Sequence, residues 1–219
     1  MKKKIVLISL FILPIFVYVF FALASHNSLF LDTIRKDLPE IPTSWKTANG
    51  DSVSLENKIT IIGFPGQNIN DNKANFFNLN QKIYQKFKGF EDFQLVMICP
   101  KGMEQDIDEI QLDIERMANL SGWKFVFAEQ KDIITYFNQW DIQEKLTSEG
   151  TPNVFIVDKD KNLRGRNGKD LKGKTEYKES YYTTSGAQLH NEMTDDFKII
   201  LREYRLALKK NDPNRRKNG

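Results

Sequence analysis

A chain of 219 residues, 40% of them hydrophobic, is long enough for a terminal segment and one domain with a sizeable core. Lys and Arg number 32 against 29 Asp and Glu, both signs are interspersed, and part of the +3 excess sits at the two ends, which excludes the basic stripe of a nucleic-acid binder. The single cysteine, Cys99, excludes an internal disulfide and a cysteine-based zinc cluster, and the two histidines are far apart in sequence.

Met1-Lys2-Lys3-Lys4 precedes an apolar run from Ile5 to Ala24 that holds no charged residue. Its length is about the twenty residues a helix needs to cross a bilayer. The lysines should stay on the cytoplasmic side, which makes residues 1–25 a membrane anchor and leaves the rest extracytoplasmic, in a periplasm. Ala22-Leu23-Ala24 also fits a signal-peptidase site. A signal-peptide core, however, runs only about 7–15 residues, so the retained anchor is the expectation.

Residues 26–43 are polar, contain proline and show no clear periodicity, and so read as a linker. Asn49-Gly50, flanked by Ser44–Thr47 and Ser52–Leu55, predicts a hairpin. The continuous apolar run Ile59–Phe64 predicts a strand covered on both faces. A helix is expected over 72–87, with Phe76, Leu79, Ile83 and Phe87 on its buried side and Phe77 and Tyr84 off that stripe. A second strand is expected over 94–99, and a helix marked by Ile107, Ile110, Ile114 and Met117 carries an acidic opposite face. A short strand (123–127), a short helix (133–137) and an apolar strand (153–157) follow. Asp158-Lys159-Asp160-Lys161-Asn162 then turns the chain into Leu163. Arg164 to Tyr182 reads as a polar surface excursion. Ser185 with Gln188 makes a capping box for a last long helix with a Leu189, Met193, Phe197, Ile200, Leu201, Tyr204, Leu208 stripe. The domain thus spans 44–209, and 210–219 is a basic tail.

Strands alternating with helices imply a central, mainly parallel sheet with helices on both faces and an antiparallel edge. Within an α/β, thioredoxin-like fold, Ile59–Phe64 leads to the loop that should carry redox chemistry. The loop here is Pro65-Gly66-Gln67-Asn68-Ile69-Asn70-Asp71, without cysteine or histidine. Thr151-Pro152 stands where such folds place a cis-proline, which makes a cis bond there a hypothesis to test.

The order of elements, Ser121-Gly122-Trp123-Lys124-Phe125, Phe155-Ile156-Val157-Asp158, Arg164-Gly165-Arg166 and the run from Asp195-Asp196 to Leu208 resemble the SCO/SenC proteins. Those are membrane-anchored, thioredoxin-fold factors for copper-site assembly in cytochrome oxidase. The resemblance implies two copper-binding cysteines near Gln67 and Asn70 or Asp71, and a histidine near Gly150. None of these residues supplies a thiolate, carboxamides are poor ligands for Cu(I), and thiol–disulfide exchange needs a thiolate. The expectation is therefore a degenerate member: no enzyme, no cofactor, no catalytic or metal residue. Its partners would be the membrane, through the N-terminal helix, and a protein docking on the loop Gly66–Asp71 and Pro152. A link to oxidase assembly is implied by the resemblance alone.

Two other functions compete. One is a copper or thiol-redox protein using Cys99, with Met97, Met103 and His190 as further soft-metal candidates; the other is a structural envelope protein. Asp158–Asn162 begins like a calcium loop, but Leu163 and Lys169 stand where its glycine and closing glutamate belong, so it reads as a hairpin turn. Glu104, Asp106, Asp108, Glu109, Asp113 and Glu115 read as a solvated helix face. Lys209-Lys210 and Arg215-Arg216-Lys217 read as a solubilising tail. Phe77 and Tyr84, if exposed beside the empty loop, would form a partner patch.

Overall fold

The computed structural model describes residues 12–16, 18–19, 30–69, 73–116, 118–169 and 173–211. Residues 12–16 and 18–19 are helical and belong to a unit, Met1–Phe30, separate from the unit Leu31–Gly219. No helix among the described residues is long and apolar enough to cross a membrane. Most of the expected span Ile5–Ala24 lies outside those residues, as do Met117 and the tail from 212.

The second unit is a mixed sheet with helices on both faces. Its strands are β1 (Asp32–Arg35), β2 (Ile59–Gly63), β3 (Phe93–Pro100), β4 (Trp123–Ala128), β5 (Asn153–Val157), β6 (Leu163–Lys169), β7 (Thr175–Lys178) and β8 (Tyr181–Tyr182). The order is β1-β6-β5-β2-β3-β4, with β7 on β6 and β8 on β5. Only β2, β3 and β4 run parallel to one another; β5 meets β2 antiparallel, and the β5–β6 and β6–β7 pairs are antiparallel too.

Side-chain alternation along β3 explains its unbroken apolar run. Leu95, Met97 and Cys99 point into one core and Val96 and Ile98 into the other. The first core is closed by α1 (73–87), α2 (Glu104–Glu115) and α4 (186–211), the second by α3 (Gln130–Asn138) and the segment before β2. Helix α1 runs as Lys73–Leu79, a π turn Asn80–Tyr84 and a last turn Gln85–Phe87. Helix α4 begins at Gly186–Gln188, passes a π turn Leu189–Met193 and continues as Thr194–Asn211.

The π turn in α1 overturns the expected placement of Tyr84. The extra residue per turn rotates the C-terminal side of the stripe, so that Tyr84 is buried between Phe93 and Trp123, and its hydroxyl accepts the Gly122 N–H at 2.8 Å. Ser185 Oγ accepts the Gln188 N–H at 3.2 Å, as a cap should, but the Gln188 side chain accepts from Tyr182 N rather than from Ser185.

Three other segments differ from expectation. The linker 26–43 contributes β1, which pairs with β6, and it buries Leu38 and Ile41; Tyr136 on α3 holds it by donating to the Pro39 carbonyl at 2.9 Å. Around Asn49-Gly50 there is a turn, with the Gly50 N–H on the Thr47 carbonyl at 2.9 Å, but no two-stranded ladder. Lys46 instead makes an isolated bridge to Phe127 on the edge strand β4, where it satisfies edge hydrogen-bonding groups. The supposed excursion from Arg164 to Tyr182 is β6, β7 and β8.

Two arginines on β6 make that polar segment a core element. Arg164, 7% exposed, donates to Asp158 at 3.0 Å, to Glu203 on α4 at 2.7 Å and to the Leu31 carbonyl at 2.5 Å. Arg166 forks onto Asp196 of α4, which also accepts from the Tyr181 hydroxyl at 2.6 Å. Sheet, turn, β1 and C-terminal helix are thereby joined through charge-assisted hydrogen bonds.

Candidate partner-binding site at the loop after β2

Phe64 leaves β2 into an edge-to-face aromatic cluster, with ring centroids 5.0 Å from Phe137 and 5.5 Å from Trp140. Beyond it Pro65 and Gly66 are buried, Gln67 and Asn68 are exposed, and Ile69 returns to the core. Asn70 and Asp71 lie outside the described residues.

Buried Gly66 lies backbone to backbone against the loop before β5. Gly66 has φ +70 and Gly150 φ +81, both in the left-handed region that favours glycine. A Cβ on Gly66 would lie 2.2 Å from the Glu149 carbonyl carbon, and one on Gly150 would lie 2.4 Å from the Gly66 nitrogen. Hydrogen bonds sew the crossing: Thr151 N–H to the Phe64 carbonyl at 2.9 Å and Gln67 N–H to the Ser148 carbonyl at 3.2 Å. The position where the resemblance puts a histidine therefore has no room even for a methyl group.

Below the crossing, half-buried Glu144 accepts from the Thr151 hydroxyl, from Asn153 Nδ2 at 2.8 Å and from Ser180 Oγ at 2.9 Å. Buried Glu179 accepts the N–H groups of Gln143 and Glu144 and the Tyr177 hydroxyl. These carboxylates, which sequence reasoning passed over, fix the Thr151-Pro152 segment. The Pro152 bond is trans, against the cis hypothesis, and the Pro152 carbonyl accepts both the N–H and the hydroxyl of Thr183. Between this segment and α1 lies a small cleft lined by Phe64, Phe76, Met97, Pro152 and Val154 among others. Its volume of about 30 Å³ holds little more than a water or two. The accessible surface is thus the loop tip at Gln67 and Asn68 with the rim at Pro152, and it offers shape and backbone polarity rather than a reactive group.

The remaining candidates are scattered. Cys99 is fully buried in β3, with its Sγ 3.7 Å from the Met97 carbonyl oxygen, and burial, followed by the nearby Glu104 charge, pushes its thiol far up. Met97 lies in the same core and half-buried Met103 packs against it, whereas His190 is exposed on α4, where Lys86 Nζ donates to its Nδ1 at 3.0 Å. No group of three or more His, Cys, Asp or Glu among the described residues could hold a metal ion. Asp158 spends one oxygen on the N–H groups of Asp160 and Asn162 and the other on Arg164, as a turn staple does. On the acidic face of α2, Asp113 binds Lys73 and Arg116 and Glu104 accepts the Gly102 N–H. Phe77 is half-buried against the first core. The side chains of Lys209 and Lys210, and Arg215–Lys217, lie outside the described residues.

Cys99 is expected to resist a thiol reagent in the native protein and to react with one equivalent once the chain is denatured. Spectrophotometric thiol counting in both states checks this, and fast native labelling would return Cys99 to consideration as a functional group.

No protein-family model matches the chain, and no curated protein matches it. Among solved structures it is similar to BsSco, a member of the Sco family of cytochrome c oxidase assembly proteins, with a TM-score of 0.55 and 12% identity over 78% of this chain and 98% of that one. It is similar also to an Aquifex aeolicus VF5 protein provisionally assigned to electron transport, with a TM-score of 0.52 and 16% identity over 78% of this chain and 98% of that one. A third similarity, to the thioredoxin domain of a thiol-disulfide oxidoreductase from Bacteroides vulgatus, has a TM-score of 0.47 and 17% identity over 75% of this chain and 97% of that one. The fold is thioredoxin-like, with a Sco protein among its structural neighbours, in a chain that carries one cysteine.

Proposed function

We propose that this protein is a non-enzymatic binding or assembly factor, held at the extracytoplasmic face of a membrane by its N-terminal segment. It meets a protein partner through the loop Gly66–Asp71 and Pro152. The observation that carries this reading is the Gly66–Gly150 crossing, which fills with backbone the place where the resemblance puts a copper-binding histidine. Exposed Gln67 and Asn68 beside it keep a surface to dock on. The buried state of the sole cysteine supports the same reading over a copper or thiol-redox role. Anchoring rests on Ile5–Ala24 behind three lysines, and respiratory oxidase assembly is the process that the Sco neighbour suggests for the partner.

A photo-crosslinking side chain placed at Gln67, compared with one at exposed Glu109 on α2, tests the docking surface in native membranes. The expected result is one defined membrane-protein adduct from position 67 that position 109 does not give. Identical adducts from both positions, or none from 67, would sink the proposal.

A further inference from the structure

The domain is gripped where the chain enters it. Leu31 is buried, its N–H donates to Glu203 Oε1 on α4 at 2.8 Å, and its carbonyl accepts from Arg164. Only six residues, 25–30, separate that grip from Ala24, where the apolar run ends. Six residues span at most roughly 20 Å when fully extended, whereas a domain the size of Leu31–Gly219 is about 40 Å across. With Ile5–Ala24 in a bilayer, so short a spacer does not let the domain turn over. The surface around Leu31 then stays towards the lipid headgroups.

The C-terminal half of α4 builds that surface. One turn beyond Glu203, Leu206 is 43% exposed and packs in neither core. Arg202 and Arg205 are exposed too, and the spacing of the three puts them on one stripe. Leu201 and Tyr204, on the other side of the same turns, pack against the first core. From Arg202 onward the sequence holds seven Lys and Arg against two Asp and Glu. One of those two, Glu203, is already held by Arg164 and the Leu31 N–H.

We infer that the α4 stripe of Arg202, Arg205 and Leu206 rests on the anionic headgroups of the membrane that holds the chain. Leu206 enters the boundary between headgroups and acyl chains, and the two guanidiniums fork onto lipid phosphates. An apolar span and a basic face together fix the orientation of the domain as well as its location. This seat requires the anchoring proposed above and is independent of docking at the loop after β2.

The full chain is placed in nanodiscs of phosphatidylcholine and phosphatidylglycerol in equal parts, and in discs of phosphatidylcholine alone. A polarity-sensitive fluorophore is attached at Leu206→Cys or, as a reference, at Glu109→Cys on α2, across α1 from α4. Both positions are exposed and Cys99 is buried, so labelling is selective and leaves the cores intact. In the anionic discs the label at 206 should shift to the blue and be quenched by aqueous iodide about threefold or more weakly than the label at 109. Arg202→Gln/Arg205→Gln should lower the ratio of shielded to open label about tenfold or more.

Coelution with the disc reports anchoring separately. A chain that leaves the disc refutes the anchor and the seat with it. A chain that stays, with position 206 as open to iodide as position 109, leaves the anchor standing and overturns the seat alone. Equal shielding in phosphatidylcholine discs, or no loss in the double variant, means that a second copy of the chain or neutral lipid covers Leu206, and overturns the inference as well.

Discussion

Replacing Arg164 by alanine is expected to lower the unfolding free energy by about 3–5 kcal/mol, the cost of leaving buried charge unpaired. The guanidinium sits between Asp158 and Glu203, whose side chains are 3% and 15% exposed, and also holds the Leu31 carbonyl. Alanine leaves both carboxylates without their shared cation, frees the Leu31 carbonyl just before β1, and opens a void. Lysine should rescue only part of the loss, because one ammonium cannot reproduce the fork that serves three acceptors. Replacing exposed Lys198, which pairs with Asp195 at 2.9 Å on the surface, should cost less than about 1 kcal/mol. Equilibrium denaturation of the three variants separates these outcomes. An Arg164→Ala loss no larger than that of Lys198→Ala would mean that the buried network adds nothing to stability.

Building in the copper-ligand set that the resemblance implies is expected to fail at Gly150. Gln67 is exposed, so Gln67→Cys/Asp71→Cys should fold, and its thiols should capture Cu(I) as a two-coordinate site. Adding Gly150→His should unfold the domain or destabilise it by more than about 4 kcal/mol. A left-handed backbone costs a side chain about 1–2 kcal/mol, and here the Cβ would also meet the Gly66 nitrogen at 2.4 Å. Backbone on both sides of the contact cannot rotate away, so the clash has no cheap relief. Gly150→Ala reports the same effect without imidazole chemistry. Thermal unfolding of the double and triple variants, followed by Cu(I) titration, checks the prediction. A stable triple variant with a thiol–imidazole copper site would show that the crossing yields easily, and would remove the main support for a chemically silent scaffold.

Local pattern made much of this fold legible. The apolar runs at 59–64, 94–99 and 153–157 are strands because a strand covered on both faces has no polar side to alternate with, and the 3.6-residue stripe Ile107, Ile110, Ile114 of α2 faces the core as its spacing requires. The absence of cysteine and histidine in the loop after β2 was readable directly. Polar segments misled wherever partners distant in sequence supply what they need. Asp32–Arg35 is a strand through pairing with β6 rather than through apolar alternation. Arg164 and Arg166 read as surface until Asp158, Asp196 and Glu203 are brought beside them. The π turn that buries Tyr84 changes the phase of a helix, and composition carries no mark of it.

Sequence alone therefore determined the thioredoxin-like architecture, the single cysteine and the absence of cysteine and histidine from the loop, because periodicity and residue chemistry are local properties. Tertiary structure alone decided that Gly66 and Gly150 press their backbones together and that Cys99 is sealed in the core. Each of these depends on which remote segment the fold sets within a few ångströms, and no local propensity encodes that.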